Sequence, residues 1–173
     1  TADDFYRAMT EGIAPPNRNL YPAMPYAYFN NITREDSDAL YAYLMSLPEI
    51  DVAPPKNELP FPYNQRLILM GWNMLFLDPE ELPPASKGDS PEWERGRYIV
   101  NTLGHCAMCH TPMGAFGQAK ADKVFQGGVL GRFAAPDITP EGLSERGWTK
   151  ADLEQYFKKG IAPQGSTFSD MYL

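Results

Sequence analysis

The chain has 173 residues and a mass of 19.4 kDa, with 43% hydrophobic and 13% aromatic residues and a formal charge of −7. This is enough apolar material for one domain or two small ones, and the acidity excludes nucleic acid as a partner, because phosphate binding needs clustered Lys and Arg. Seventeen prolines and fourteen glycines predict an all-α fold of short helices and long loops, whose thin core a prosthetic group could complete.

In chain order, the opening "TADDFYRAMTEG" has neither a basic start nor an apolar stretch, so it is not a leader peptide. It predicts a helix capped by Thr1, acidic in its first turn and stopped at Gly12, where a left-handed residue suits a helix end. A proline-bearing loop then reaches Met24. Thr33 caps a second helix whose Leu40, Tyr43, Leu44 and Leu47 form one apolar face before Pro48 ends it. From Pro48 to Asp89 the prolines of "APP", "LPFP" and "LPP" mark a linker around one apolar segment, Leu67 to Leu77. That segment is too short to span a bilayer and contains Asn73, so it is expected to be a buried helix rather than an interfacial one. Ser90 and Pro91 open a further helix at a cap and a first helical position, and this helix runs into the cysteines.

Both cysteines and both histidines of the chain lie between His105 and His110, in "GHCAMCHTP". Cysteines three apart followed at once by histidine form the attachment sequence of haem c: the thiols of Cys106 and Cys109 add to the haem vinyl groups and His110 binds iron. Residues i, i+3 and i+4 of a helical turn share a face, so the three side chains can address one porphyrin edge and its metal. A thioredoxin-like dithiol needs a βαβ context, and zinc bound by one six-residue turn would be strained. A disulfide across this gap would restrain almost nothing. His105 is expected to point away from the iron. The ring nitrogen of His110 that is not on iron needs an acceptor, for which the Thr111-Pro112 step is the candidate. Gly127 and Gly128 would let backbone pass close to a flat group, with Val129, Leu130, Phe133, Pro136, Ile138 and Phe157 as apolar wall. Trp148 is a candidate donor to a haem propionate.

"TKADLEQYFKKGIAP", Thr149 to Pro163, aligns without gaps on "TADDFYRAMTEGIAP", Thr1 to Pro15, so one element occurs twice. Met24 lies 12 positions after Gly12, and Met171 lies 11 after Gly160. Met171 is far enough past His110 to return on the other haem face and is the expected distal iron ligand, which gives a saturated electron-transfer centre. Met113, three residues past His110, is expected only to pack. By the repeat, Met24 is the distal ligand of a second haem attached upstream. If Met171 does not bind, the alternative is an open sixth site for peroxide chemistry or gas binding. The sequence therefore reads as a window on a tandem array: 1–48 the end of one domain, 49–89 the linker, and 90–173 a second domain without its last helix. The helix over 34–47 is a candidate to dock on Tyr98 and Ile99 in its place.

The stretches "MPYAYFNNITREDSDALYAYLMSLP", "GWNMLFLDP", "WERGRYIVNTLGHCAMCHTP" and "AAPDITPEGLSERGWTKADLEQYFKKGIAP", with Met171, resemble the three-haem cytochrome c subunit of membrane-bound bacterial alcohol, gluconate, fructose and sorbitol dehydrogenases. The chain departs from that pattern at Asp137, where asparagine is expected. The resemblance implies a cytochrome c fold and electron transfer without substrate chemistry of its own. It implies a quinoprotein or flavoprotein dehydrogenase as donor and quinone or a terminal oxidase as acceptor. It also implies a periplasmic location at the outer face of the cytoplasmic membrane, attached through parts outside this sequence.

Overall fold

A computed structural model describes residues 1–77, 82, 88–167 and 171. The chain forms two compact units, Thr1–Cys106 and Ala107–Leu173.

The first unit is built on α1 (Ala2–Glu11), which carries a full capping box between Thr1 and Asp4 and ends at Gly12 with φ 67°. A two-stranded hairpin follows, β1 (Ile13–Ala14) against β2 (Arg18–Asn19). Then come α2 (Tyr26–Phe29) and α3 (Arg34–Ser46), both packed on α1. The Phe5 and Tyr41 rings lie 5.6 Å apart across the α1–α3 contact, and Arg34 pairs with Asp3 at 2.6 Å. Tyr26 is fully buried, and a side chain at Gly12 would stand 2.6 Å from its ring. Glycine is therefore required there twice, by the left-handed backbone and by the ring.

One expectation about burial fails in this unit. The apolar face of Leu40, Tyr43 and Leu44 on α3, with Leu47 at its end, is exposed, because the helix meets α1 through other residues. The segment expected to be buried forms α4 (Leu67–Phe76), but only Leu69 is buried and Met74 is 86% exposed. Its anchors are polar: Asn73 accepts from the Tyr26 hydroxyl at 2.6 Å, and Arg66 donates to the Asn19 carbonyl at 2.5 Å. The apolar sequence made the helix, but no described element covers its outer face.

Helix α5 (Pro91–Tyr98) starts as expected at Ser90, whose hydroxyl accepts from the Trp93 amide, and it widens into a π-helical turn, Ile99–Leu103. The Tyr98 hydroxyl donates to Asp36 at 2.8 Å and accepts from the Thr33 amide at 3.1 Å. The start of α3 thus reaches Tyr98, whereas Ile99 is exposed and the body of α3 lies on α1.

The second unit runs from α6 (Ala107–His110) through a 3-10 turn (Ala121–Lys123) to the hairpin β3 (Gln126–Leu130) and β4 (Phe133–Asp137). It continues with α7 (Pro140–Glu145), α8 (Lys150–Lys159) and the hairpin β5 (Ile161–Ala162) and β6 (Gly165–Ser166). Helices predominate, as expected. The three antiparallel hairpins refine the all-α reading, and each closes a loop whose backbone groups would otherwise lack partners.

Candidate haem-attachment site

The π-helical turn delivers the chain to the cysteines. Gly104 donates to the Ile99 carbonyl at 2.6 Å and Cys106 to that of Val100 at 3.1 Å, which winds the backbone tightly before the motif. Between them His105 takes φ 38°, a left-handed conformation uncommon for a residue with a side chain. Cys106 and Cys109 are half-buried thiols that are not joined in a disulfide.

His110 is 7% exposed, and its Nδ1 lies 2.7 Å from the Pro136 carbonyl oxygen. A carbonyl only accepts, so Nδ1 carries a proton, which in a neutral ring leaves the lone pair on Nε2, the arrangement a metal-binding imidazole needs. The acceptor is not the Thr111-Pro112 step. The Pro112 carbonyl takes the Lys120 amide at 3.0 Å, and the buried Thr111 uses its hydroxyl to accept from the Phe125 amide at 3.1 Å. Sequence could not point to Pro136, because every residue carries a carbonyl and only the hairpin decides which one arrives.

Gly127 and Gly128 explain how it arrives. A Cβ at Gly128 would collide with the Cys109 carbonyl oxygen and stand 2.9 Å from that of Thr111. At Gly127, with φ 84°, it would press on Ala135 and Asp137. The two glycines therefore bring β3 against the backbone of the attachment motif itself, and β4 then presents Pro136 to His110. Next to Pro136, the Asp137 carboxylate accepts from the Thr139 amide at 2.8 Å and hydroxyl at 2.6 Å. These bonds hold its pKa below the ordinary aspartate range, with a smaller contribution from the charge of Arg146.

Trp148 packs edge-on against Tyr156, with centroids 5.1 Å apart, and lines a cavity of about 430 Å³ with Pro136, Arg146, Gln164 and Ser166. Arg146 is a cation that sequence reading passed over. Its Nε donates to the Gly142 carbonyl at 2.9 Å and its Nη2 to that of Asp137, which fixes the guanidinium at the cavity wall. Met171 is 43% exposed. Met113 is exposed and bridges to Ala119, and Met24 is half-buried beside Tyr26, whose amide donates to the Met24 carbonyl at 2.7 Å.

The residues present fit a covalently held haem. Two thiols outside any disulfide and an imidazole with its Nε2 available stand in one short stretch. In the second unit Ala162 is the single buried apolar residue among the described residues, while Val129, Phe157 and Ile161 are exposed. Apolar side chains left facing water are a cradle for a large flat group.

No family model matches the chain. Over 166 residues it is 37% identical to a diheme cytochrome c-type protein of Cereibacter sphaeroides, covering 94% of this chain and 54% of that one. It is 36% identical over 162 residues to the fructose dehydrogenase cytochrome subunit of Gluconobacter japonicus, covering 92% of this chain and 33% of that one. The chain is a homologue of the cytochrome c subunits of bacterial dehydrogenases. This cytochrome c homologue is also 41% identical over 159 residues to a nicotinate dehydrogenase subunit of Pseudomonas putida, covering 91% of this chain and 13% of that one. It spans at most about half the length of these relatives. Among the described residues, no helix is long and apolar enough to cross a membrane.

Proposed function

We propose that this chain carries electrons through haem c within a dehydrogenase complex, with Cys106 and Cys109 as thioether anchors and His110 as proximal iron ligand. The observation that carries this reading is the buried His110, with Nδ1 held by Pro136 directly behind two thiols. Haem supplies a one-electron iron couple when bound. The chain's own residues set its surroundings. The Nδ1–H···O=C bond would make His110 a stronger electron donor to iron and so favour its oxidised state, whereas a thioether ligand from Met171 would favour the reduced state. Arg146 and Trp148 line a cavity suited to the haem carboxylates. Met24 is the distal ligand of a haem attached upstream.

The donor is a quinoprotein or flavoprotein dehydrogenase and the acceptor quinone or a terminal oxidase, in the periplasm at the membrane face. The names of the relatives support a dehydrogenase partner. Intact mass under denaturing conditions tests the attachment, since thioether-bound haem survives unfolding. The expected mass exceeds that of the polypeptide by whole haems, and a bare polypeptide mass refutes the reading. A second reading keeps an open sixth site, for peroxide chemistry or gas binding, with Met171 off the iron. Carbon monoxide separates the two: the carrier reading expects little binding to the reduced protein, and rapid, complete binding would establish the open site.

A further inference from the structure

We propose that Asp137 is a positioning residue for His110: it sets a fixed negative charge beside the carbonyl that the imidazole bonds to, and so favours the oxidised state of iron at that ligand. This rests on the reading of His110 as the proximal ligand.

The hairpin brings the charge to the ring. The register of β3 and β4 runs from Gln126 opposite Asp137 to Gly128 opposite Ala135, and between them Gly127 takes φ 84°. Pro136 has no amide hydrogen to give to the ladder. Its carbonyl is the one that meets His110 Nδ1, at 2.7 Å. The carbon of that carbonyl is bonded to the backbone nitrogen of Asp137, so a single residue carries both the junction and the charge.

The carboxylate is held in place from two directions. Its Oδ1 accepts from the Thr139 amide at 2.8 Å and from the Thr139 hydroxyl at 2.6 Å. That hydroxyl in turn accepts from the Gly142 amide at 3.1 Å, which ties the turn to the start of α7. A Cβ at Gly142 would collide with Oδ1, so the glycine leaves room for the carboxylate against the helix.

Asparagine, the residue expected at this position, could accept the same two bonds through its amide oxygen. What the carboxylate adds is charge. The Thr139 bonds, helped by the charge of Arg146, hold its pKa below the ordinary aspartate value of 3.8, so it is ionised at neutral pH. Among the described residues it enters no ion pair, because the Arg146 guanidinium is directed to the Gly142 and Asp137 carbonyls instead. A negative charge that no contact cancels stabilises the more positive, oxidised iron over the reduced one. Asp137 is half-buried, so salt weakens the effect without abolishing it.

The test uses the haem-loaded protein and reads the midpoint potential of the centre attached at Cys106, at low and at high salt. Asp137→Asn should raise the potential at low salt, and the rise should shrink as salt is added. The Nδ1–H proton resonance of His110 is followed alongside, and its persistence shows that the bond to Pro136 is intact. Should Asp137→Asn disturb that resonance, Asp137→Ser serves as the second neutral variant, because its hydroxyl can accept from the Thr139 amide. Equal potentials at low salt, or a shift that salt leaves untouched, overturn the role of the charge while leaving His110 as ligand. An intact mass without haem overturns the reading on which the proposal rests.

Discussion

The two copies of the repeat, Thr1–Pro15 and Thr149–Pro163, build the same local element in opposite surroundings. Each has a capping box, Thr1 with Asp4 and Thr149 with Asp152, and each helix ends at a left-handed glycine, φ 67° at Gly12 and 70° at Gly160. Each glycine carbonyl then accepts from the far side of a hairpin, from Leu20 or Thr167, at 2.7 Å. The first hairpin has three residues between its strands and the second has two, which accounts for the one-residue difference in spacing to Met24 and Met171. Yet Met9 is 4% exposed, while Phe157, at the same position of the second copy, is 72% exposed. α2 and α3 cover the first copy, whereas α8 makes its main described contacts with its own hairpin. Caps and turns are local and travel with the sequence, but the cover over an apolar face has to come from elsewhere.

The largest expected effect comes from removing what we propose covers the second copy. In Cys106→Ala/Cys109→Ala, covalent haem at this site should be lost entirely by mass. Amide exchange should then speed up over 150–166 and stay slow over 2–11; equal acceleration in both copies would break the contrast. A smaller difference separates Met9→Ala from Phe157→Ala in haem-free protein. The first should cost about 3 kcal/mol as a buried methionine truncation and the second under about 0.5 kcal/mol as a surface change, both from urea unfolding. In the haem-loaded protein, Phe157→Ala should cost about 3 kcal/mol if its ring lies on the porphyrin.

Next are the two cap glycines. Gly160→Ala meets a left-handed backbone and only the hydroxyl of Thr167 at 2.8 Å, for a cost of about 1 kcal/mol. Gly12→Ala also drives a methyl group into the buried Tyr26 ring and should cost roughly 3 kcal/mol in the same assay. The smallest effect is common to both copies. Hydrogen bonds from Thr1 and Thr149 hold Asp4 and Asp152 below the ordinary aspartate value of 3.8. A depressed folded-state pKa stabilises the helix above the unfolded value, and that contribution disappears as pH falls below 3.8 through the folded value. Carbon NMR of the carboxyl groups should show both titrating low, and Asp4→Asn or Asp152→Asn should remove the acid fraying of its own helix alone.

The helix starts at Thr1, Thr33, Ser90 and Thr149 and the glycine stops were legible because they depend on bonds within four residues. So was the grouping of Cys106, Cys109 and His110, whose chemistry lies in side-chain types and spacing. The burial of α4 was misread because an apolar stretch states a need for cover without naming what provides it. Arg146 and the carbonyl of Pro136, a residue expected only as apolar wall, escaped notice for a related reason. A carbonyl and a cation at the end of a short helix acquire a role only when another segment arrives beside them.

By itself, the sequence determined the capped helices, the duplicated element and the thiols and imidazole of the attachment motif, since each is settled by neighbours along the chain. Only the tertiary structure decided that Gly128 seats a hairpin on that motif, that Pro136 fixes the tautomer of His110, and that His105 meets Phe29. Those contacts join residues far apart in sequence, and the close packing that selects them exists only once the chain has folded.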